Sequence, residues 1–200
     1  MRIGVDVDGV LNNVGQFEID YGSKFYIENT NRHLDNPQGY DSVEMFCGDK
    51  KEDNEFWGKA IYEFVKYPAR DFAGEVLFKL KNLGHEIYIV TARTSDLSYC
   101  DISPEKMKKI VENWLKKWKI PYNKIVWTGK DKVSACLENK IDVMIDDCPR
   151  NILDISKHIP VICFDARYNA KCEGENIIRC FSWFDVYDKI KFMKSKQVLN

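Results

Sequence analysis

No apolar run in this chain is longer than a few residues, far short of the roughly 20 needed to cross a bilayer. The chain passes from Met1 and Arg2 straight into a strand-like segment, without the apolar stretch of a secretory signal. This predicts a cytoplasmic protein with no membrane partner. Histidine is scarce: only His33, His85 and His158, far apart. The seven cysteines (Cys47, Cys100, Cys136, Cys148, Cys163, Cys172, Cys180) are odd in number and include no Cys-x-x-Cys pair. That argues against a zinc site or a disulfide framework and predicts reduced, mostly buried thiols. An excess of one charge is missing too. Lys and Arg total 30 against 31 for Asp and Glu, a net charge of −1, so nothing global attracts a nucleic acid. Repeats and low-complexity tracts are also absent.

What is present is an ordinary globular composition, 44% hydrophobic and 30% charged over 200 residues. It suits one domain, or one domain carrying an insertion. From residue 71 onward strands and helices alternate. Residues 72–83 place Phe72, Val76, Leu77, Leu80 and Leu83 on one helical stripe that Gly84 stops. Strands are predicted at 85–91, 124–127, 141–145, 160–164 and 176–179. Helices are predicted from Ser103-Pro104 to about Trp118, over 133–139, for a turn or two after Pro149, and over 183–193. That rhythm predicts an α/β fold, a parallel sheet covered on both faces.

Residues 14–70 break the rhythm. They are rich in aromatics and offer helices near 15–29 and 53–66, but no convincing buried strand. They read as a helical insertion whose aromatics mostly fill its own core.

The segment I-G-V-D-V-D-G-V-L-N-N at 3–13 sets Asp6 and Asp8 on the same side of an extended chain. Carboxylates that close repel unless a cation sits among them. In open parallel sheets ligands collect at the carboxyl ends of the strands. The ends here carry Asp6 and Asp8, then Thr91 in T-A-R, Lys130 and Lys132 in W-T-G-K-D-K, and Asp146-Asp147 in I-D-D. A calcium loop does not fit, since the glycine comes at the fourth position and the twelfth is Phe17. An all-oxygen donor set without His or Cys suits a hard ion, Mg²⁺, completed by phosphate oxygens and water. Thr91 and a lysine would grip the phosphate, the backbone N–H groups around Gly9 would assist, and Arg93 is placed to reach it.

D-V-D-G-V-L, T-A-R, the G-K-D-K lysine and I-D-D, in that order over residues 6–147, resemble the four motifs of the haloacid dehalogenase superfamily of phosphohydrolases. The start D-V-D-G-V-L-N and the compact helical insertion are similar to the 5′(3′)-deoxyribonucleotidase family and its bacterial nucleotidase relatives. The resemblance implies a three-layer, Rossmann-like core (1–13 and 71–200) with a helical cap (14–70). It implies Mg²⁺-dependent hydrolysis of a phosphomonoester through an aspartyl-phosphate, in a 5′-nucleotidase acting on nucleoside monophosphates. Asp6 would be the nucleophile and a metal ligand, and Asp8 the general acid and base, its carbonyl a second metal ligand. Asp146 would be a third ligand and Asp147 an outer support. Thr91 and a lysine, Lys132 or alternatively Lys130, would bind the phosphoryl group. Repulsion from neighbouring charge would favour a protonated Asp8. Phe17, Tyr40, Phe46 and Trp57 are candidates to stack on a base. A sugar phosphate or a polynucleotide end are alternative substrates, and a phosphate-binding module without turnover is the alternative to an enzyme. Oligomeric state is not readable.

Overall fold

The computed structural model describes residues 1–129 and 131–198. Six strands form one sheet in the order β3-β2-β1-β4-β5-β6, every pair parallel. They are β1 (Arg2–Val5), β2 (Glu86–Thr91), β3 (Lys124–Trp127), β4 (Val143–Asp146), β5 (Val161–Phe164) and β6 (Ile177–Cys180). The helices are α1 (Val14–Thr30), α2 (Ser42–Phe46), α3 (Lys50–Phe64), α4 (Ala73–Asn82), α5 (Pro104–Lys117), α6 (Lys132–Glu138), α7 (Pro149–Ile155) and α8 (Trp183–Val198).

Side chains alternate across the strands, so each strand feeds two cores. Ile87 and Ile89 pack with Leu77, Leu80, Val111 and Ile190, from α4, α5 and α8. Tyr88 and Val90 pack with Cys136, Ile152 and Ile155, from α6 and α7. This is the three-layer fold that the strand–helix rhythm predicts. Each such aliphatic side chain contributes about 1.5–3 kcal/mol by leaving water. Ser103 caps α5 through the Lys106 N–H with Pro104 at its first position, as the sequence signal requires.

Between β1 and α4 come α1, α2 and α3, packed on one another through a stacked aromatic core. The short α2 is absent from the sequence-based assignment. It is held by Asp41, which caps the Glu44 N–H, and by the Tyr26 ring lying flat on Phe46 at 4.5 Å. The insertion is closed at its base, where Asn12 bridges Ala69 and the Arg70 N–H donates to the Leu11 carbonyl at 2.7 Å.

Candidate active site

The sheet order reverses at β1, with β2 on one side and β4 on the other, and the crevice at such a point is where ligands bind. Val5 lies level with Ile89 and Ile145, so the next residue, Asp6, emerges beside the ends of β2 and β4. The Asp6 N–H donates to the Ile145 carbonyl at 3.0 Å. The chain then makes a single wide turn over Val7–Leu11, closed by the Asn12 N–H on the Val7 carbonyl at 3.1 Å. Gly9 has φ +83°, and a Cβ there would lie 1.8 Å from an Asp147 carboxylate oxygen. Both the backbone and the crowding demand glycine.

Asp6, Thr91, Lys132, Asp146 and Asp147 are all buried. One Asp6 oxygen accepts from the Val7 N–H at 2.8 Å, and the other lies 2.7 Å from Lys132 Nζ. The same ammonium lies 2.9 Å from Asp146. Asp146 also accepts from the Cys148 N–H at 2.9 Å and from Asn151 at 3.2 Å. Asp147 is hydrogen-bonded by the Tyr168 hydroxyl, and Asn169 ties the Asp147 carbonyl to that of Phe164. Lys132 opens α6 behind its Asp131 cap. Lys130 lies outside the described residues.

One ammonium thus faces three buried carboxylates. The excess shows in their proton affinities. Burial, then Asp146 and Asp8 against the pull of Lys132, push Asp6 up to about 7. Burial and the charges of Asp146 and Asp6 push Asp147 well above the carboxylate range. Lys132 is held charged above its ordinary value because Asp146 and Asp6 outweigh its burial. Asp6, Asp146 and Asp147 bring carboxylate oxygens within 4.8 Å of one another. The surplus charge and the hard donors fit a divalent cation. Asp147 therefore stands with the potential ligands, closer in than the outer support the motif suggests.

Asp8 and Arg93 form an ion pair. Arg93 Nε lies 2.9 Å and 3.1 Å from the two Asp8 oxygens, and Nη2 reaches the carboxylate as well. Its guanidinium lies 5.0 Å from the Phe64 ring centre and 5.9 Å from that of Trp114. Arg93 is thus paired with Asp8 through Nε and Nη2, and its buried Nη1 makes no hydrogen bond among the described residues. Burial tends to raise Asp8, but the charge and hydrogen bonds of Arg93 more than reverse it and hold Asp8 below the usual range. Asp8 therefore rests as the carboxylate, while the protonated form expected from neighbouring charge belongs to the moment of leaving-group departure. The Gly9 expectation is corrected: its N–H donates to Asn12 Oδ1 at 3.1 Å, while Asn12 Nδ2 donates to Asp8 at 3.0 Å. That N–H is therefore internal to the turn, and Arg70 clamps the Gly9 and Asn12 carbonyls from outside. Thr91 Oγ1 accepts from the Arg93 N–H at 3.3 Å, which leaves its hydroxyl hydrogen able to donate.

A cavity of about 440 Å³ lies over these strand ends, its floor made by Asp6, Asp8, Thr91 and Lys132, its roof by Glu18, Tyr40 and Trp57. Of the four stacking candidates, Tyr40 and Trp57 line it. Phe17 and Phe46 are fully buried inside the insertion. Asn12, Arg70, Asn151 and Tyr168 were not singled out from sequence. Tyr168 follows the end of β5, and reading that strand end like the others would have found it; Asn12 closes the D-V-D-G-V-L-N start, and Arg70 and Asn151 carry no local signal.

The chain matches the family described as 5′ nucleotidase, deoxy (Pyrimidine), cytosolic type C protein, over residues 1–198. A nucleotidase of Clostridium acetobutylicum is 29% identical over 203 residues, covering 99% of this chain and 98% of that one. Among solved structures, a β-phosphoglucomutase of Clostridium difficile superposes with a TM-score of 0.62 at 12% identity, over 100% of this chain and 99% of that one. A haloacid-dehalogenase-superfamily hydrolase of Geobacter sulfurreducens gives 0.57 at 12% identity, over 94% of each. These two show the shared fold. The family match shows more: the chain belongs to the type C 5′ nucleotidase family and is a phosphatase.

Proposed function

From that membership we propose that the protein is a Mg²⁺-dependent 5′-nucleotidase, hydrolysing nucleoside monophosphates through an aspartyl-phosphate on Asp6. The observation that carries the reading is the set of three carboxylates and one lysine at the strand ends, beneath a cavity walled by Tyr40 and Trp57. Mg²⁺ bound by Asp6, Asp146 and Asp147 would offset the phosphate's negative charge and polarise its phosphorus. Lys132 neutralises a further phosphoryl oxygen, and the Thr91 hydroxyl donates to another.

An ionised Asp6 oxygen attacks phosphorus, forming an acyl phosphate while the ester P–O bond breaks. The departing oxygen takes a proton from Asp8. A water then attacks the same phosphorus and gives its proton to Asp8, which restores Asp6 and frees inorganic phosphate. Arg93 keeps Asp8 ionised before substrate arrives. A phosphate dianion entering beside it raises its proton affinity, because a second negative charge disfavours the carboxylate, so Asp8 takes up one proton from solvent as substrate binds and returns it when phosphate leaves. Arg93 thereby sets Asp8 as the base for the second step, and the substrate's own charge sets it as the acid for the first.

The insertion covers the site, excludes water and contacts the nucleoside. The test is kcat/KM over deoxynucleoside, ribonucleoside and sugar monophosphates, with and without Mg²⁺. Nucleotides are expected to lead the series, and EDTA to abolish turnover until Mg²⁺ is restored. A sugar phosphate preferred tenfold over every nucleotide overturns the substrate; activity unchanged by EDTA overturns the metal.

A further inference from the structure

Two acids of the insertion are buried, Asp53 and Glu18, with 5% of each exposed. Asp53 is satisfied inside the protein. Ser42 Oγ donates to one of its oxygens at 2.7 Å and Lys50 Nζ to the other at 2.6 Å. Glu18 is its opposite. Among the described residues its side chain makes no hydrogen bond and no ion pair, and it lines the cavity. Its nearest countercharge, Arg167, donates from Nη2 to Met45 Sδ at 2.8 Å and lies 5.3 Å from the Tyr168 ring centre. Burial raises Glu18 well above the usual carboxylate range, with Arg167 opposing and Asp41, Asp53 and Asp8 adding to it. A buried carboxyl without a protein partner is a costly thing to keep. A ligand group in the cavity would remove that cost.

Its place on α1 says which part of the ligand. Asn12 holds Asp8, Asn13 caps α1, and Val14 and Glu18 both line the cavity. One turn separates those two, about 6 Å along the axis. Beyond the oxygen that Asp8 protonates, the next group outward is the alcohol to which the phosphate was joined.

Resting on the nucleotidase reading, we propose that Glu18 is a specificity-determining residue that hydrogen-bonds a sugar hydroxyl of the leaving group. A hydroxyl donates to a carboxylate and accepts from a carboxylic acid, so it suits this side chain in either state. A substrate lacking that hydroxyl leaves the buried carboxyl unpaired, which is how a polar site rejects an analogue.

The test compares kcat/KM for phosphomonoesters differing by one hydroxyl: ribo-, 2′-deoxy- and 2′,3′-dideoxynucleoside 5′-monophosphates, with ribose, 2-deoxyribose and 2,3-dideoxyribose 5-phosphates beside them. For one such pair the wild type is expected to favour the hydroxylated member by on the order of 10- to 100-fold. Glu18→Ala collapses that ratio to within about twofold, and Glu18→Gln, which still donates and accepts, keeps most of it. A loss shared by every substrate with the ratio intact marks a structural role and overturns the proposal. So does a wild type indifferent to every hydroxyl. If only the sugar phosphates turn over, the nucleotidase reading fails, while their own pair still decides the role of Glu18.

Discussion

The floor of the cavity and its roof are built on opposite terms. The floor is a set of strand ends, where parallel neighbours fix the backbone and ion pairs fix what protrudes. Asp6, Lys132 and Asp146 are each held by at least two partners. The roof is three helices resting on an aromatic core of their own, and its cavity-facing groups are wider and looser: the Trp57 indole, the Tyr40 phenol, the Glu18 carboxyl. On the proposed function, chemistry falls to the floor and selectivity to the roof, two different parts of the chain.

The largest effect that separates them is expected in the floor. Asp6→Asn removes the attacking oxygen, and kcat falls by on the order of 10⁴ or more. Its melting temperature holds or rises, because one of three crowded carboxylates is gone. Single-turnover kinetics and thermal melting check both; an active mutant would break the division outright.

The roof divides again between packing and contact. Phe17 is fully buried, stacked on Tyr21 at 4.3 Å and tilted against Phe64 at 4.9 Å. Phe17→Ala should cost about 3–5 kcal/mol of stability, read by urea unfolding. Trp57 lines the cavity while its other side packs on Phe56 at 5.1 Å and Phe64 at 5.2 Å, so Trp57→Leu should cost less stability than Phe17→Ala while kcat/KM on nucleotides falls roughly tenfold, the scale of a lost stacking contact. Equal stability losses in the two variants would erase the distinction between a packed aromatic and one that meets substrate.

The smallest effect is a proton. With Asp6 raised to about 7 in the metal-free protein, the folded state holds a proton that the unfolded chain releases near 3.8. That contribution to metal-free stability is therefore full below about pH 4 and is lost as pH rises through 7. Mg²⁺ needs the carboxylates, so in Asp147→Asn, which removes the other raised ligand, its binding should release up to about one proton at pH 6 and almost none at pH 8.5. Titration calorimetry in buffers of different ionisation enthalpy measures that number. Equal release at both values would remove Asp6 from the metal site.

This split explains what was legible in the sequence. Strand ends are set by local periodicity, so Asp6, Thr91 and Asp146 could be placed on one edge before any coordinates. Lys132 is favoured over Lys130 by its position at a helix start, and the structure places its ammonium between Asp6 and Asp146. The partnership of Asp8 with Arg93 joins residues 85 positions apart, and neither residue type declares its partner. Gly9 was assigned to phosphate because a glycine beside an acid offers its N–H freely; that Asn12 occupies the N–H depends on a turn whose closure no local pattern marks. Phe17 and Trp57 are alike as letters, and only the packing of α1 against α3 separates them. Glu18 reads as an ordinary acid on a helix until its burial is known.

The joint at the base of the insertion has a consequence of its own. Residues 11–12 and 69–70 already touch, through the Asn12–Ala69 bridge and the Arg70 N–H, so the intervening segment leaves and re-enters the core at a single point. Such a segment is exchangeable: a shorter or longer one could be grafted there without altering the span between β1 and α4. The graft would still be felt, because Asn12 is both the last residue before the junction and the amide that holds Asp8. A lineage could change what the site accepts by rebuilding one excursion of the chain, and Asn12 is one point at which such a change would reach Asp8.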